Sequence, residues 1–262
     1  MTGAPIRFDR VGGVAWLTLD RPEQRNAIGP EVADALHDLA NRCADDPAVR
    51  CVVLTGNGRF FSVGGDVDLF SQAGDDAEPV VLDLARRFHA GIHRFATMEK
   101  PLVTAINGPA AGAGFSLSIA GDIAIAAASA HFTAAYSAIG LTPDGGASWW
   151  LPRLVGLRRA QEIILTNRRI DAQEAAAIGL VTRVVPDDTL MDAAGTVARS
   201  LAAGPTRAIG RCRALLLASG ERDIATQLDA EGQWIASSAG GAEGREGIAA
   251  FLEKRLPNFT GS

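Results

Sequence analysis

Apolar positions change their period several times along this chain, and each change marks an element. Val14-Ala15-Trp16-Leu17-Thr18-Leu19 and Val49 to Leu54 are short runs with β-branched residues, the second closed by Thr55-Gly56-Asn57-Gly58, and they predict strands. Between them, Glu31 to Cys43 sets Val32, Ala35, Leu36 and Leu39 on one face at helical spacing. Gly74 to Pro79 is acidic, breaks the pattern and predicts a mobile surface loop; Val80 to Ala96 returns to helical period. Leu102 to Ile106 and Ile123 to Ala127 read as strands, with a helix over Gly112 to Ala120 between them. Trp149 to Leu154, Arg159 to Leu165 and Ala172 to Ile178 predict short helices, and Val181 to Val185 the last strand.

After Pro186 the pattern is helical throughout: Leu190 to Ala203, Thr206 to Ala218, Arg222 to Ser237 and Glu243 to Arg255. Strands that alternate with helices favour parallel pairing. The pattern predicts an α/β body over residues 1–190 and a helical appendage over 191–262.

Composition removes several classes of function. The chain of 262 residues is 47% hydrophobic and 21% charged, as expected of a globular protein with a substantial core. A net charge of −5 gives no general attraction to nucleic acid, so any anionic ligand must be held by a local cluster of Lys and Arg. Pro101 to Gly121 carries no charge, but Asn107-Gly108-Pro109 divides it into pieces too short to cross a bilayer. Met1 to Arg10 has no apolar core of a signal peptide. Cys43, Cys51 and Cys212 have neither metal-ligand nor disulfide spacing, and a cytoplasmic setting is expected.

Two glycine-punctuated turns leave strands and open toward helices. They are Phe60-Phe61-Ser62-Val63-Gly64-Gly65-Asp66 and Asn107-Gly108-Pro109-Ala110-Ala111-Gly112-Ala113-Gly114. Glycine lets backbone approach a ligand closely, and a helix start leaves N–H groups unpaired. Two such turns meeting at one point would cradle a developing oxyanion, which points to carbonyl chemistry.

At these turns the chain resembles the crotonase superfamily, the enoyl-CoA hydratases and isomerases. Asp20-Arg21-Pro22-Glu23-Gln24-Arg25-Asn26-Ala27 matches the family's first loop, and Phe61 to Asp66 its first oxyanion turn. Lys100-Pro101 through Gly114 to Asp122 matches the second. Gly140-Leu141-Thr142-Pro143-Asp144-Gly145-Gly146 and Glu246 to Arg255 match later motifs. The resemblance covers nearly the whole chain. It implies an α/β crotonase spiral of ββα repeats, and a C-terminal helical segment used in a homotrimer or a dimer of trimers. It implies an acyl-CoA thioester as substrate, with coenzyme A part of that substrate and no separate cofactor or metal. The backbone N–H groups of Val63 and Ala113 are then the expected oxyanion donors, beside Gly64, Gly65 and Gly112. Arg25 and Ala27, with Asp66, Val67 and Leu69, are expected to line the path of the coenzyme A handle. Phe251 and Lys254 are expected to reach it from the C-terminal segment.

Hydratases of this family place two glutamates where this chain has Ser116 and Tyr136. Neither is a carboxylate, and a free tyrosine has a pKa of about 10, which argues against ordinary hydration and leaves both residues as pocket lining. Asp144 is the acid left in this region. One carboxylate suffices to take a proton from one carbon and return it to another, so isomerisation of a double bond, or ring opening, is the expected reaction. Asp144 is also well placed to cap the helix that follows. Atypical hydration, thioester hydrolysis and acyl-CoA binding without catalysis stay open.

Other chemistries fit less well. Gly108-x3-Gly112-x-Gly114 lacks the dinucleotide spacing. Gly114-Phe115-Ser116-Leu117-Ser118 has Ser where a nucleophile elbow has Gly. His89 and His93 stand four apart on a helical stretch, a metal-binding spacing without acidic or cysteine partners in sequence.

Overall fold

The computed structural model describes residues 3–260. Its chain advances in a repeated step: a strand on a large sheet, a short excursion onto a second sheet, then a helix. β1 (Ile6–Val11) and β2 (Val14–Leu19) open the large sheet as an antiparallel pair, and α1 (Pro30–Asp45) follows. β3 (Cys51–Gly56) pairs parallel with β2, and α2 (Val67–Ala73) and α3 (Ala77–Thr97) come next. β4 (Leu102–Ile106) lies beside β3, β5 (Ala110–Ala111) steps onto the second sheet, and α4 (Ala113–Ile119) returns the chain. β6 (Ile123–Ala127) and β7 (His131–Thr133) repeat that step, followed by α5 (Ala147–Val155) and α6 (Leu157–Thr166). β8 (Ile170–Asp171), α7 (Ala172–Ala177) and β9 (Arg183–Val185) complete the body.

The large sheet has the order β1-β2-β3-β4-β6-β9 and is parallel after its first pair; the small sheet is β5-β7-β8. Isolated parallel bridges, Ile28 to Gly65 and Ser62 to Ala110, carry the same excursion into the earlier repeats. β3 and β4 are continuous apolar runs because both their faces are covered. Phe61, Phe88, Phe95, Phe115 and Phe132 fill the largest buried positions.

α8 (Leu190–Ala203) packs on β3, β4 and β6 through Leu190, Ala194, Ala198 and Ala202. By packing, α8 belongs to the body, and the chain leaves that body at Gly204-Pro205 rather than at residue 190. α9 (Thr206–Ala218), α10 (Ile224–Ala239) and α11 (Ala242–Glu253) then form the C-terminal segment, with Leu216, Ile235, Phe251 and Leu252 exposed.

Two sequence expectations change. The acidic stretch 74–79 is not a loop: Gly74–Asp76 is a 3-10 turn that runs into α3, which starts at Ala77. Pro79 is tolerated there because the first helical turn has no N–H bonds for it to remove. The short strands β5, β7 and β8 escaped detection because two or three residues carry too little periodicity, and β1 because its six residues are mostly polar or exposed, with one buried position at Ile6. Among the described residues no helix is long and apolar enough to cross a membrane.

Candidate active site

The first turn is held from below by Asn26, which is almost wholly buried. Its side chain accepts from the Arg21 N–H at 3.0 Å and donates to the carbonyls of Asn57 at 3.0 Å and Phe60 at 2.8 Å. Ser62 Oγ donates to the Asn26 carbonyl at 2.7 Å and accepts from the Gly64 N–H at 3.2 Å. The two turns are in contact. A Cβ on Gly114 would lie 2.3 Å from the Ser62 carbonyl oxygen, and one on Gly64 2.7 Å from that of Ala111, at a φ of +101°. Glycine at both positions is therefore required by close approach, and at Gly64 also by conformation.

The N–H groups of the first turn pair in a way that changes the expected donor. Phe61 and Ser62 donate to the Pro109 carbonyl, Gly64 to Ser62 Oγ, and Asp66 to the Ile28 carbonyl. Val63 donates to the Arg25 carbonyl at 3.2 Å, so the N–H expected to face the substrate is already engaged. Phe60 and Gly65 are the residues of this turn whose N–H has no acceptor among the described residues, and of the two Gly65 lines the cavity beside Asp144. The bridge with Ile28 uses the groups on either side of Gly65 and turns its own N–H the other way. Ala113, the first residue of α4, likewise has no acceptor, while the Gly112 N–H donates to Thr133. Gly65, Ala113 and Asp144 line one small cavity of about 30 Å³, together with Ile28, Phe70, Leu84 and Phe88.

Asp144 stands at the centre of a hydrogen-bond cluster. Its Oδ1 accepts from the Tyr136 hydroxyl at 2.6 Å. Ser116 Oγ lies 2.7 Å from that hydroxyl and donates to the Asp144 carbonyl at 2.9 Å. Ser116 is fully buried and Tyr136 nearly so, which places both behind the carboxylate as its support. Burial, reinforced by the Asp144 charge, pushes the Tyr136 pKa well above its ordinary value, so the phenol stays a proton donor. The Asp144 side chain keeps 30% exposure. It does not cap α5: the N-cap is Gly146, without a side-chain cap.

His89 belongs to this cluster and was missed as such. Its Nε2 accepts from the Gly145 N–H at 2.9 Å and lies 3.7 Å from Asp144 Oδ2. Nothing in sequence ties residue 89 to a loop 56 positions later. Among the described residues no group of three or more His, Cys, Asp or Glu is placed to hold a metal ion.

The expected coenzyme A contacts divide. The Arg25 backbone is left-handed, and its guanidinium lies 5.8 Å from the Phe60 ring, with that of Arg59 at 5.6 Å. Ala27 sits between the Asn26 clamp and the Ile28 bridge. Asp66 caps α2 by accepting from the Leu69 N–H at 3.2 Å, Val67 is exposed, and Leu69 packs on the core. Phe251 and Lys254 lie in the exposed C-terminal segment, where α11 packs on α10; no hydrogen bond among the described residues links either to the site.

Among the described residues no histidine meets Ser116: its hydroxyl contacts Tyr136, Gly112 and Asp144, none of them the base a serine nucleophile uses.

Residues 9–262 match the family model described as enoyl-CoA hydratase/isomerase. The 1,2-epoxyphenylacetyl-CoA isomerase of Escherichia coli is 39% identical over 250 residues, 95% of each chain. A 4-chlorobenzoyl coenzyme A dehalogenase of an Arthrobacter species is 34% identical, over 96% of this chain and 91% of the relative. The crystal structure of an enoyl-CoA hydratase from Polaromonas superposes with a TM-score of 0.93 at 36% identity, covering 97% of this chain and 98% of that one. With its two interlocked turns and Asp144 beside them, the chain belongs to the enoyl-CoA hydratase/isomerase family and has the crotonase fold.

Proposed function

We propose that this enzyme isomerises an acyl-CoA thioester by shifting a carbon–carbon double bond, with Asp144 as the acid and base. The N–H groups of Gly65 and Ala113 hold the thioester oxygen. The Asp144 carboxylate takes a proton from the carbon next to the thioester of a 3-enoyl-CoA. The electron pair moves into a dienolate, whose oxygen the two N–H groups stabilise. Asp144 then returns the proton to the far carbon of the dienolate, and the double bond ends in conjugation with the carbonyl. Atoms and charge balance without a cofactor beyond the coenzyme A of the substrate.

The observation that carries this reading is the convergence of Gly65, Ala113 and Asp144 on one small cavity. Hydration needs a further group to activate and place water, and Ser116 and Tyr136 are engaged with Asp144. The isomerase name of the E. coli relative supports ring-opening isomerisation as a variant of the same proton chemistry.

The test compares isomerisation of a 3-enoyl-CoA with hydration of a 2-enoyl-CoA. Isomerisation is expected to be the faster in the native enzyme. Asp144→Asn is expected to lower it by about a hundred- to ten-thousandfold, the usual contribution of a positioned acid or base. Full turnover by Asp144→Asn, or hydration faster than isomerisation, removes Asp144 from this role.

The exposed apolar side chains of α10 and α11 support association with further copies into a trimer or dimer of trimers. Sedimentation at micromolar concentration is expected to give a multiple of three chains, and Phe251→Glu combined with Leu252→Glu to lower that number. A native monomer rejects this assembly.

A further inference from the structure

We propose that the cavity between α3, α5 and α9 receives the acyl group, and that it selects medium-length or ring-bearing acyl groups over short ones. This rests on the acyl-CoA reading above. The small cavity beside Gly65 and Ala113 measures about 30 Å³. That is the share of liquid volume of a single water, about 30 Å³, and suits a carbonyl oxygen but no acyl chain. A second cavity of about 560 Å³ is lined by Gly145 and Gly146, which follow Asp144 in the chain. It lies within the size range of small-molecule sites, roughly 300–1,000 Å³.

The two spaces are lined by residues that are neighbours in the chain. Asp144 lines the small one, and its neighbour Gly145 lines the large one. His89, whose Nε2 accepts from the Gly145 N–H and lies 3.7 Å from the Asp144 carboxylate, lines the large one as well. An acyl group whose oxygen sits at Gly65 and Ala113 passes Asp144 before it reaches this second space. The reacting carbons then lie where the carboxylate is.

The apolar part of the wall comes from three elements, Ile92 and Met98 at the end of α3, Trp149 and Trp150 on α5, and Ala214 and Leu217 on α9, with Glu221 at the polar part. The two indoles meet edge to face with centroids 4.4 Å apart. The α9 wall is fixed to the body. Arg213 donates to Asp122 Oδ2 at 2.7 Å and to the Phe95 carbonyl at 3.0 Å, and it also reaches the Met98 carbonyl. Its side chain is 10% exposed, so the anchor next to Ala214 is well shielded. The first helix of the C-terminal segment is thereby a wall of the substrate cavity, a role distinct from subunit contact. A short acyl group leaves most of this space unfilled. Each methylene that moves from water into it is expected to improve binding by about fourfold, until the space is filled.

Binding of saturated thioesters tests this without turnover, because they carry no double bond to shift. Butyryl-CoA, octanoyl-CoA and phenylacetyl-CoA are titrated by calorimetry into the full-length enzyme, into Ala214→Phe and into Leu217→Phe. Either substitution narrows the cavity from α9, and the second serves if the first does not fold. In the native enzyme at least one of octanoyl-CoA and phenylacetyl-CoA is expected to bind more than tenfold tighter than butyryl-CoA. In the narrowed variant that advantage is expected to fall below threefold. Equal affinity for all three in the native enzyme, or an advantage that survives narrowing, overturns the assignment of the cavity while the acyl-CoA reading stands. Failure of every thioester to bind overturns both.

Discussion

The paired turns and the acid cluster lie side by side but are built on opposite principles. In the turns, backbone does the work: Asn26 and Ser62 fix the chain, and the glycines allow it to come close. In the proposed mechanism the side chains there, Val63 and Ala113, take no part in the chemistry. In the acid cluster the backbone is a frame, and single side-chain atoms of Asp144, Tyr136, Ser116 and His89 define the arrangement. A cradle of backbone can persist while the reacting side chain is exchanged. The relatives carry names as different as isomerase and dehalogenase at 39% and 34% identity, which fits a frame of this kind.

The sharpest break of this comparison deletes one backbone N–H and leaves every side chain in place. Replacing the amide of residue 65 by an ester, with glycolate in the Gly65 position, removes the donor. The loss of kcat is expected to be about a hundred- to a thousandfold, as for other oxyanion donors. The same replacement at residue 63 removes the bond to the Arg25 carbonyl, a structural contact with a net value of about 1 kcal/mol. Its effect is expected to fall mainly on stability. The reverse order of the two effects on kcat would return the donor role to Val63.

The acid cluster is probed by Tyr136→Phe. This deletes a 2.6 Å hydrogen bond to the carboxylate. Hydrogen bonds to charged groups contribute about 1.5–3 kcal/mol, so a fall in turnover of about tenfold or more is expected. The phenol can be followed directly, because Tyr136 is the one tyrosine in the chain. Its raised pKa gives a definite sign. Below about pH 10, the ordinary tyrosine pKa, the group is protonated both folded and unfolded and contributes no pH dependence. Above it the unfolded chain ionises first, so stability is lost as pH rises. The ultraviolet phenolate band is expected to appear only with unfolding, and Tyr136→Phe to lessen the alkaline loss. A phenolate formed in the folded enzyme at the ordinary pKa contradicts the burial of this hydroxyl.

The same division decides what could be read from sequence. Strands β2, β3, β4 and β6 were legible as nearly continuous apolar runs of five residues or more, and the long helices by their periodic burial. The turns were legible as glycine patterns, but their donor was not. Which N–H faces outward depends on the bridge between Ile28 and Gly65, a contact between distant segments. Asp144, Ser116 and Tyr136 were identified as a group, whereas their mutual hydrogen bonds were not. His89 showed only its spacing to His93, and its partner Gly145 comes from another repeat. α8 read as part of the tail because helical period does not reveal which layer a helix packs on; Leu190, Ala194 and Ala198 set it on the sheet.

The smallest expected effect is the most direct check on the contrast between backbone and side-chain chemistry. Val63 is half-buried, and its backbone N–H keeps the Arg25 carbonyl whatever side chain it bears. Val63→Ala removes two methyl groups, leaves the conformation of Gly64 and Gly65 free to persist, and touches neither proposed donor. Stability is expected to fall by about 1 kcal/mol or less, and kcat/KM for a 3-enoyl-CoA to stay within twofold. The denaturant midpoint and initial rates on the same preparation separate the two. A rate loss much larger than the change in stability would mean that the valine side chain itself holds the first turn in register, and that the cradle depends on side-chain packing as the acid cluster does.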